Sequence, residues 1–148
     1  MTGRWIVVVS WLCVAVFTVF AGLNAAGLDA IGPAVTGGSF VLFAIAIGVW
    51  VWAFGLALVR STRGDDIAVS NLFFLSGSAP APVRRHLLGA VAVSVVVAAA
   101  TSFANPMTVL VPMLPLGLAG LWGARHGTFP PRPARPYAAG RTPRGGRR

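Results

Sequence analysis

The side chains in this sequence that could do chemistry are concentrated in two short stretches. Residues 60–86 contain Asp65 and Asp66 together with four arginines and a histidine, and a second stretch begins at Arg125 and His126. Carboxylates and imidazoles can serve as acids, bases or metal ligands, but their spacing here matches no standard metal pattern, and no nucleophile or cofactor cradle accompanies them. We therefore predict surface ion pairs, with no enzymatic activity, metal or cofactor.

The first stretch also contains an apolar segment. Carboxylates favour the first turn of a helix, so Asp65 and Asp66 are suited to begin a short one, which Gly77 and two prolines would end. We expect this helix to lie on the membrane surface, with four consecutive side chains, residues 72–75, dipped among the lipid headgroups. Four consecutive side chains cover more than one helical face, so some are expected to contact a protein partner. The candidate partner surface comprises Asp65, Asp66, Leu72, Phe73, Phe74, Arg84, Arg85, Arg125 and His126.

The elements that carry these stretches have the composition of a membrane protein. Of the 148 residues, 56% are hydrophobic and only 10% are charged, and the mean hydropathy is +0.78. Four segments without a charged side chain are each long enough to cross about 30 Å of hydrocarbon as a helix. Backbone groups in lipid must pair internally, and these segments lack the alternation of a barrel strand. We predict an all-α integral membrane protein, a compact bundle of four transmembrane helices at about 5–23, 40–59, 87–103 and 107–123.

The arginines predict how the chain is oriented. Arg4 precedes the first span, the loop 60–86 follows the second, and the remaining arginines follow the fourth, whereas residues 24–39 and 104–106 contain none. Positive residues collect in cytosolic segments, so both termini are predicted to be cytoplasmic. The Arg-only, Ala- and Gly-rich composition suggests a bacterial plasma membrane. In an alternative, residues 1–21 are a cleaved signal peptide, although their apolar run is longer than usual.

Residues 125–148 are rich in Pro, Gly and Arg and offer little surface to bury, which predicts a disordered tail. The net charge of +9 resides largely there and is expected to attract anionic lipid headgroups. A polyproline-like stretch at 130–136 offers a protein partner as an alternative. We expect no nucleic-acid partner.

Two features concern how the spans pack. A row of small residues recurs every four positions along the third span and is expected to face another helix, because helices in lipid associate through close backbone approach. In the fourth span, Pro112 and Pro115 predict a kink, which is either structural or the lining of a cavity. Because none of the spans contains an ionisable Asp, Glu, Lys, Arg or His, a proton-coupled pump is disfavoured. The row of small residues is Ala90, Ser94, Ala98 and Ser102.

Two segments carry a resemblance to known proteins. GDDIAVSNLFFLSGSAP at residues 64–80 and LGLAGLWGARHGTFPPR at 116–132 resemble segments of an uncharacterised family of small polytopic bacterial membrane proteins. The resemblance spans about residues 63–132 and implies that the two segments form a shared surface. It implies no catalytic or binding residues.

The leading hypothesis is a non-enzymatic accessory or scaffolding subunit, which binds a larger membrane complex through the third span and the loop. The alternative is a small homo-oligomeric transporter or channel built around the kinked fourth span. An intramembrane enzyme is the third possibility.

Overall fold

The computed structural model describes residues 3–132, and the secondary structure of this part of the chain is helical. The α-helices are α1 (Arg4–Ala25), α2 (Gly32–Thr62), α3 (Val69–Leu72), α4 (Ala81–Thr101) and α5 (Met113–His126), with 3₁₀ helices at Asp29–Ile31 and Pro106–Leu110. Four helical segments are long and apolar enough to cross a membrane. The predictions of an all-helical chain and of four such segments are confirmed. Residues 133–148, most of the predicted disordered tail, lie outside the described residues.

The first helix packs through a narrow stripe. Its buried residues recur every three or four positions, which places them on one side of a helix with 3.6 residues per turn. The main partner of this stripe is α4, which runs parallel to α1. Phe17 and Ala21 of α1 pack in one cluster with Ala98 of α4. The buried residues of α1 are Ile6, Ser10, Val14, Phe17, Ala21 and Asn24.

The second helix begins at Gly32, eight residues before the predicted start of its span. Pro33 lies in its first turn, where a missing N–H removes no hydrogen bond. Gly37 and Gly38 therefore lie within the helix, although they precede the predicted span. At about 1.5 Å of rise per residue, 31 residues give a length of about 46 Å, well beyond a hydrocarbon core of about 30 Å.

The third long helix also begins early, at Ala81 instead of residue 87. Pro80 is its N-cap and Pro82 lies in its first turn. The two prolines therefore begin the helix, whereas the sequence placed them in the loop before it. Arg84 and Arg85 are therefore helical, and the loop between α2 and α4 is shorter than predicted.

The fourth predicted span is interrupted where the sequence predicts a kink, because no continuous helix runs through the two prolines. A 3₁₀ helix ends at Leu110, and α5 begins at Met113 with Pro112 as its N-cap and Pro115 in its first turn. Both prolines thus occupy positions where their missing N–H costs little. The carbonyl of Met113, the first residue of α5, accepts a hydrogen bond of 2.9 Å from the indole of Trp50.

The short fifth helix lies at the centre of the molecule. It contacts α1, α2, α3 and α4, and ten of its residues are buried. Along the row of small residues on α4, Ala90, Ser94 and Ala98 are buried, whereas Ser102 is partly exposed. Ala98 packs in one cluster with two residues of α1. This row therefore packs largely within the chain itself.

The two ends of the bundle differ in their polar groups. One end brings together the start of α1, the end of α2, the start of α4 and the end of α5, and it contains every arginine of the described residues; we call it the arginine-bearing end. At the opposite end, Asn105 accepts a hydrogen bond from the N–H of Met107 and donates one of 2.8 Å to the hydroxyl of Thr36. These bonds join the 3₁₀ helix to the start of α2.

Candidate functional site

The loop between α2 and α4 folds inward at the arginine-bearing end. Leu72 and Phe73 are each 2% exposed and Leu75 is fully buried, whereas Phe74 is 51% exposed. Leu75 adopts a left-handed backbone with φ of 54°, and the chain turns there so that Leu75 is buried while the preceding Phe74 is exposed. The expectation that residues 72–75 dip into the headgroups is therefore wrong for Leu72, Phe73 and Leu75.

A row of glycines on α5 receives this loop. A Cβ on Gly120 would collide with the ring of Phe73, and one on Gly123 would collide with the backbone carbonyl of Leu72. A Cβ on Gly117 would lie 2.7 Å from the Trp50 ring. The three glycines recur every three residues, so they form one open side of the helix. Their regular spacing is visible in the sequence and is the signal from which this site could have been predicted.

Aromatic side chains fill the space above the glycines. The rings of Trp50 and Phe73 stack with their centroids 4.3 Å apart, and Phe54 packs 5.3 Å from Phe73 at a tilt. Stacked and tilted pairs at these separations add to the stabilisation that their burial already provides. The loop is thus attached to both α2 and α5.

The side chain of Arg60 joins the ends of α2 and α5. Its Nε donates to Asp65 at 2.8 Å, and its Nη1 donates to the carbonyls of Ala124 and Gly127 at 3.2 and 2.9 Å. The guanidinium also lies 4.7 Å from the centre of the Phe129 ring. A cation at a helix C-terminus satisfies carbonyls that have no partner in the helix, and it offsets the negative end of the helix dipole. Asp65 therefore forms an ion pair, as predicted for this surface, and its partner is Arg60.

The chain beyond α5 returns along the loop. The N–H of Asp66 donates to the carbonyl of Pro130 at 2.9 Å, and the N–H of Arg132 donates to that of Gly64 at 2.7 Å. Residues 125–132 are therefore structured, which corrects the predicted start of the disordered tail. The segments 64–80 and 116–132 lie against each other.

The rest of the predicted partner surface is divided between several places. Asp66, Phe74, Arg84 and Arg85 are exposed, and so is Arg125, whose guanidinium lies 5.9 Å from the ring centre of Trp52. His126 is partly buried beside the indole of Trp122. Because Leu72 and Phe73 are interior, Phe74 is the large apolar group that this surface retains.

A second surface lies along α2, on the side facing away from the bundle. Gly37, Gly48 and Gly55 have no atom of the described residues within 4 Å of a Cβ built on them. With Ala44, which is also exposed, they fall within about 40° of one another at 3.6 residues per turn, roughly opposite the buried side of the helix. We call these four residues the outer stripe of α2. Large apolar side chains flank it, among them Val41, Val51 and Trp52.

No protein-family model matches this chain, and no curated protein or solved structure matches it either. Its function must be inferred from its own residues and their geometry.

Proposed function

We propose that this chain is a multi-pass protein of a bacterial plasma membrane, with both termini in the cytosol. Large apolar side chains are exposed along α1, α2 and α4, and at Val109 and Met113 near the start of the fourth segment, as expected for helices that face lipid. The described arginines share one end of the bundle, and positive residues accumulate on the cytosolic side of membrane proteins. On this proposal, the basic residues 133–148 add an attraction for anionic lipid headgroups.

Within that membrane, the chain acts as an accessory or scaffolding subunit that binds a helix of a larger complex. The outer stripe of α2 is the observation that carries this proposal. In lipid, helices associate where small residues allow their backbones to approach closely, and glycine is otherwise an unfavourable residue for a helix. The glycines of α5 are each covered by a neighbour within the chain, whereas those of the outer stripe are uncovered.

The stripe has the length that a membrane-embedded contact requires. From Gly37 to Gly55 it spans 18 residue steps, which is five turns and about 27 Å. This distance is close to the thickness of the hydrocarbon core. The exposed Phe74 at the arginine-bearing end offers the same partner an additional contact outside the hydrocarbon.

The alternative, a homo-oligomeric transporter organised around the fourth span, has less support. That segment lies at the centre of a single chain, and the Trp50 indole of α2 is hydrogen-bonded to the first residue of α5. An oligomer organised around it would require the helices surrounding α5 to separate.

Partner identification after gentle detergent extraction tests the proposal. The wild-type chain is expected to be recovered with a reproducible membrane-protein partner. Gly48→Leu places a large side chain in the outer stripe, where no intramolecular contact opposes it, so it is expected to abolish recovery of the partner and leave the chain folded. Ala100→Leu introduces the same side chain on an exposed side of α4, and this variant is expected to retain the partner.

Retention of the partner by Gly48→Leu would contradict the role of the outer stripe. Recovery of the chain only as a homo-oligomer that passes solutes in liposomes would overturn the accessory function and favour the transporter.

A further inference from the structure

Two adjacent cavities lie at the arginine-bearing end. The smaller, of about 190 Å³, is lined by Arg4, His86 and Trp122 among others. The larger, of about 410 Å³, is lined by Trp122, His126 and the residues 77–80 that lead into α4. Trp122 and Val83 line both spaces, and each space is large enough to hold a small polar group.

Two buried polar atoms beside the cavities have no hydrogen-bond partner among the described residues. Trp122 is 2% exposed, and its Nε1 makes no hydrogen bond within the described part of the chain; the same holds for the buried Nε2 of His126. An indole N–H can only donate, and burial of an unpaired donor is unfavourable. Gly3 covers both rings closely, because a Cβ on it would lie 2.6 Å from the indole nitrogen and 2.7 Å from Cδ2 of His126. The unpaired donor thus lies beside the smaller cavity, which Gly3 also lines.

The groups around the cavities favour negative charge. The guanidinium of Arg4 and the imidazole of His86 line the smaller one, and no acidic residue lines either. The larger one opens at the N-terminus of α4, a 21-residue helix in which Pro82 has no N–H and the N–H groups of Ala81 and Val83 receive no side-chain cap. The first N–H groups of a helix have no partner within it and attract anions. The first turn of α4 contains no acidic side chain to supply that charge.

We propose that these two cavities form one binding site for a phosphate group, carried either by a lipid headgroup or by a small soluble phosphate. The N–H of Trp122 and the guanidinium of Arg4 donate hydrogen bonds to the phosphate oxygens. The N-terminus of α4 adds positive potential, and the imidazole of His86 supplies a further hydrogen-bond donor. This site requires none of the partner contacts proposed for α2, so either proposal can fail without the other.

The test is NMR of the indole N–H groups of the purified full-length chain. The chain has five tryptophans, and comparison with Trp122→Phe assigns the signal of Trp122. One arm titrates inorganic phosphate into the chain in nanodiscs of zwitterionic lipid, and the other increases the phosphatidic acid content of the nanodiscs. A saturable shift of the Trp122 signal is expected in at least one arm. The arm that produces it identifies the source of the phosphate.

Three variants separate a specific site from general surface charge. Arg4→Gln and His86→Gln are each expected to weaken the response about tenfold, as for loss of a charge-assisted contact. Arg85→Gln removes one charge next to His86, outside both cavities, and is expected to weaken it by no more than about twofold. No saturable shift of Trp122 in either arm would overturn the proposal, and so would equal weakening by Arg85→Gln and Arg4→Gln.

Discussion

At the scale of single residues, the glycines of this chain serve two different purposes. Gly120 lies directly under the ring of Phe73, so its missing side chain provides the space in which the loop is held. Gly22 and the glycines of the outer stripe of α2 have open space around them. Glycine thus allows close packing of Phe73 inside the chain at Gly120, and it leaves the outer stripe of α2 open to another helix.

Gly120→Ala is predicted to destabilise the chain by about 1–3 kcal/mol, because the added methyl group displaces the Phe73 ring from its stack on Trp50. Gly22→Ala is the matched control and is predicted to change the free energy of unfolding by no more than about 1 kcal/mol. Reversible unfolding in mixed detergent micelles measures both. Equal stabilities of the two variants would show that Phe73 does not depend on the space above Gly120.

The positions of residues 72–75 show where prediction from sequence fails at this scale. Their apolar character was evident, but whether they face lipid or protein depends on a gap provided by α5, more than 40 residues away in the chain. The left-handed turn at Leu75 has no signal either, since a branched apolar residue rarely adopts it. The glycine spacing on α5 was visible and indicates close packing, but it does not identify what packs there.

At the scale of elements, the C-termini of α2 and α5 are joined by one side chain. Arg60 extends from the last turn of α2 and satisfies two carbonyls at the end of α5, while Asp65 balances its charge. Its carbonyl also receives the N–H of Asp65 at 3.3 Å. The loop therefore begins from a fixed point, which helps to place Phe73 over the glycines.

Arg60→Gln is predicted to destabilise the chain by about 1–3 kcal/mol, because it removes the charged donor shared by Ala124, Gly127 and Asp65. Arg63→Gln removes the same charge from an exposed position three residues later and is predicted to have an effect below about 0.5 kcal/mol. The same micelle unfolding assay compares them. Similar losses in both variants would mean that net charge, and not the link between α2 and α5, is responsible.

The helix boundaries were predicted less well than the helices. Long uncharged segments identify helices reliably because lipid leaves the backbone no other hydrogen-bonding arrangement. Prolines and glycines are poor indicators of where these helices end. Pro33, Pro82 and Pro115 each lie in the first turn of a helix, where proline is tolerated, and Gly37 lies within α2. Sequence alone does not distinguish a proline that begins a helix from one that bends it.

At the scale of the whole molecule, the four long segments alternate in direction, so the short connections fall at two ends of opposite character. Arginines occur at one end, and the other has Asn24, Asp29 and Asn105 as its polar residues near the helix termini. This asymmetry was readable from the sequence because it needs only the order of spans and arginines. The central position of the fourth segment was not readable, because all four segments are apolar and small residues occur in each.

The asymmetry makes a prediction about membrane orientation that a labelling experiment in bacteria can test. Replacing the single cysteine by Cys13→Ala gives a background without thiols, to which one cysteine is added at an exposed position of either end. Leu28→Cys, in the connection between α1 and α2, is predicted to react with a membrane-impermeant maleimide in intact cells, because the end without arginines faces outward. Ser76→Cys, in the loop at the arginine-bearing end, is predicted to react only after the cells are permeabilised. Labelling of Ser76→Cys alone in intact cells would invert the orientation, and labelling of both would mean that the four helical segments do not form a continuous membrane domain.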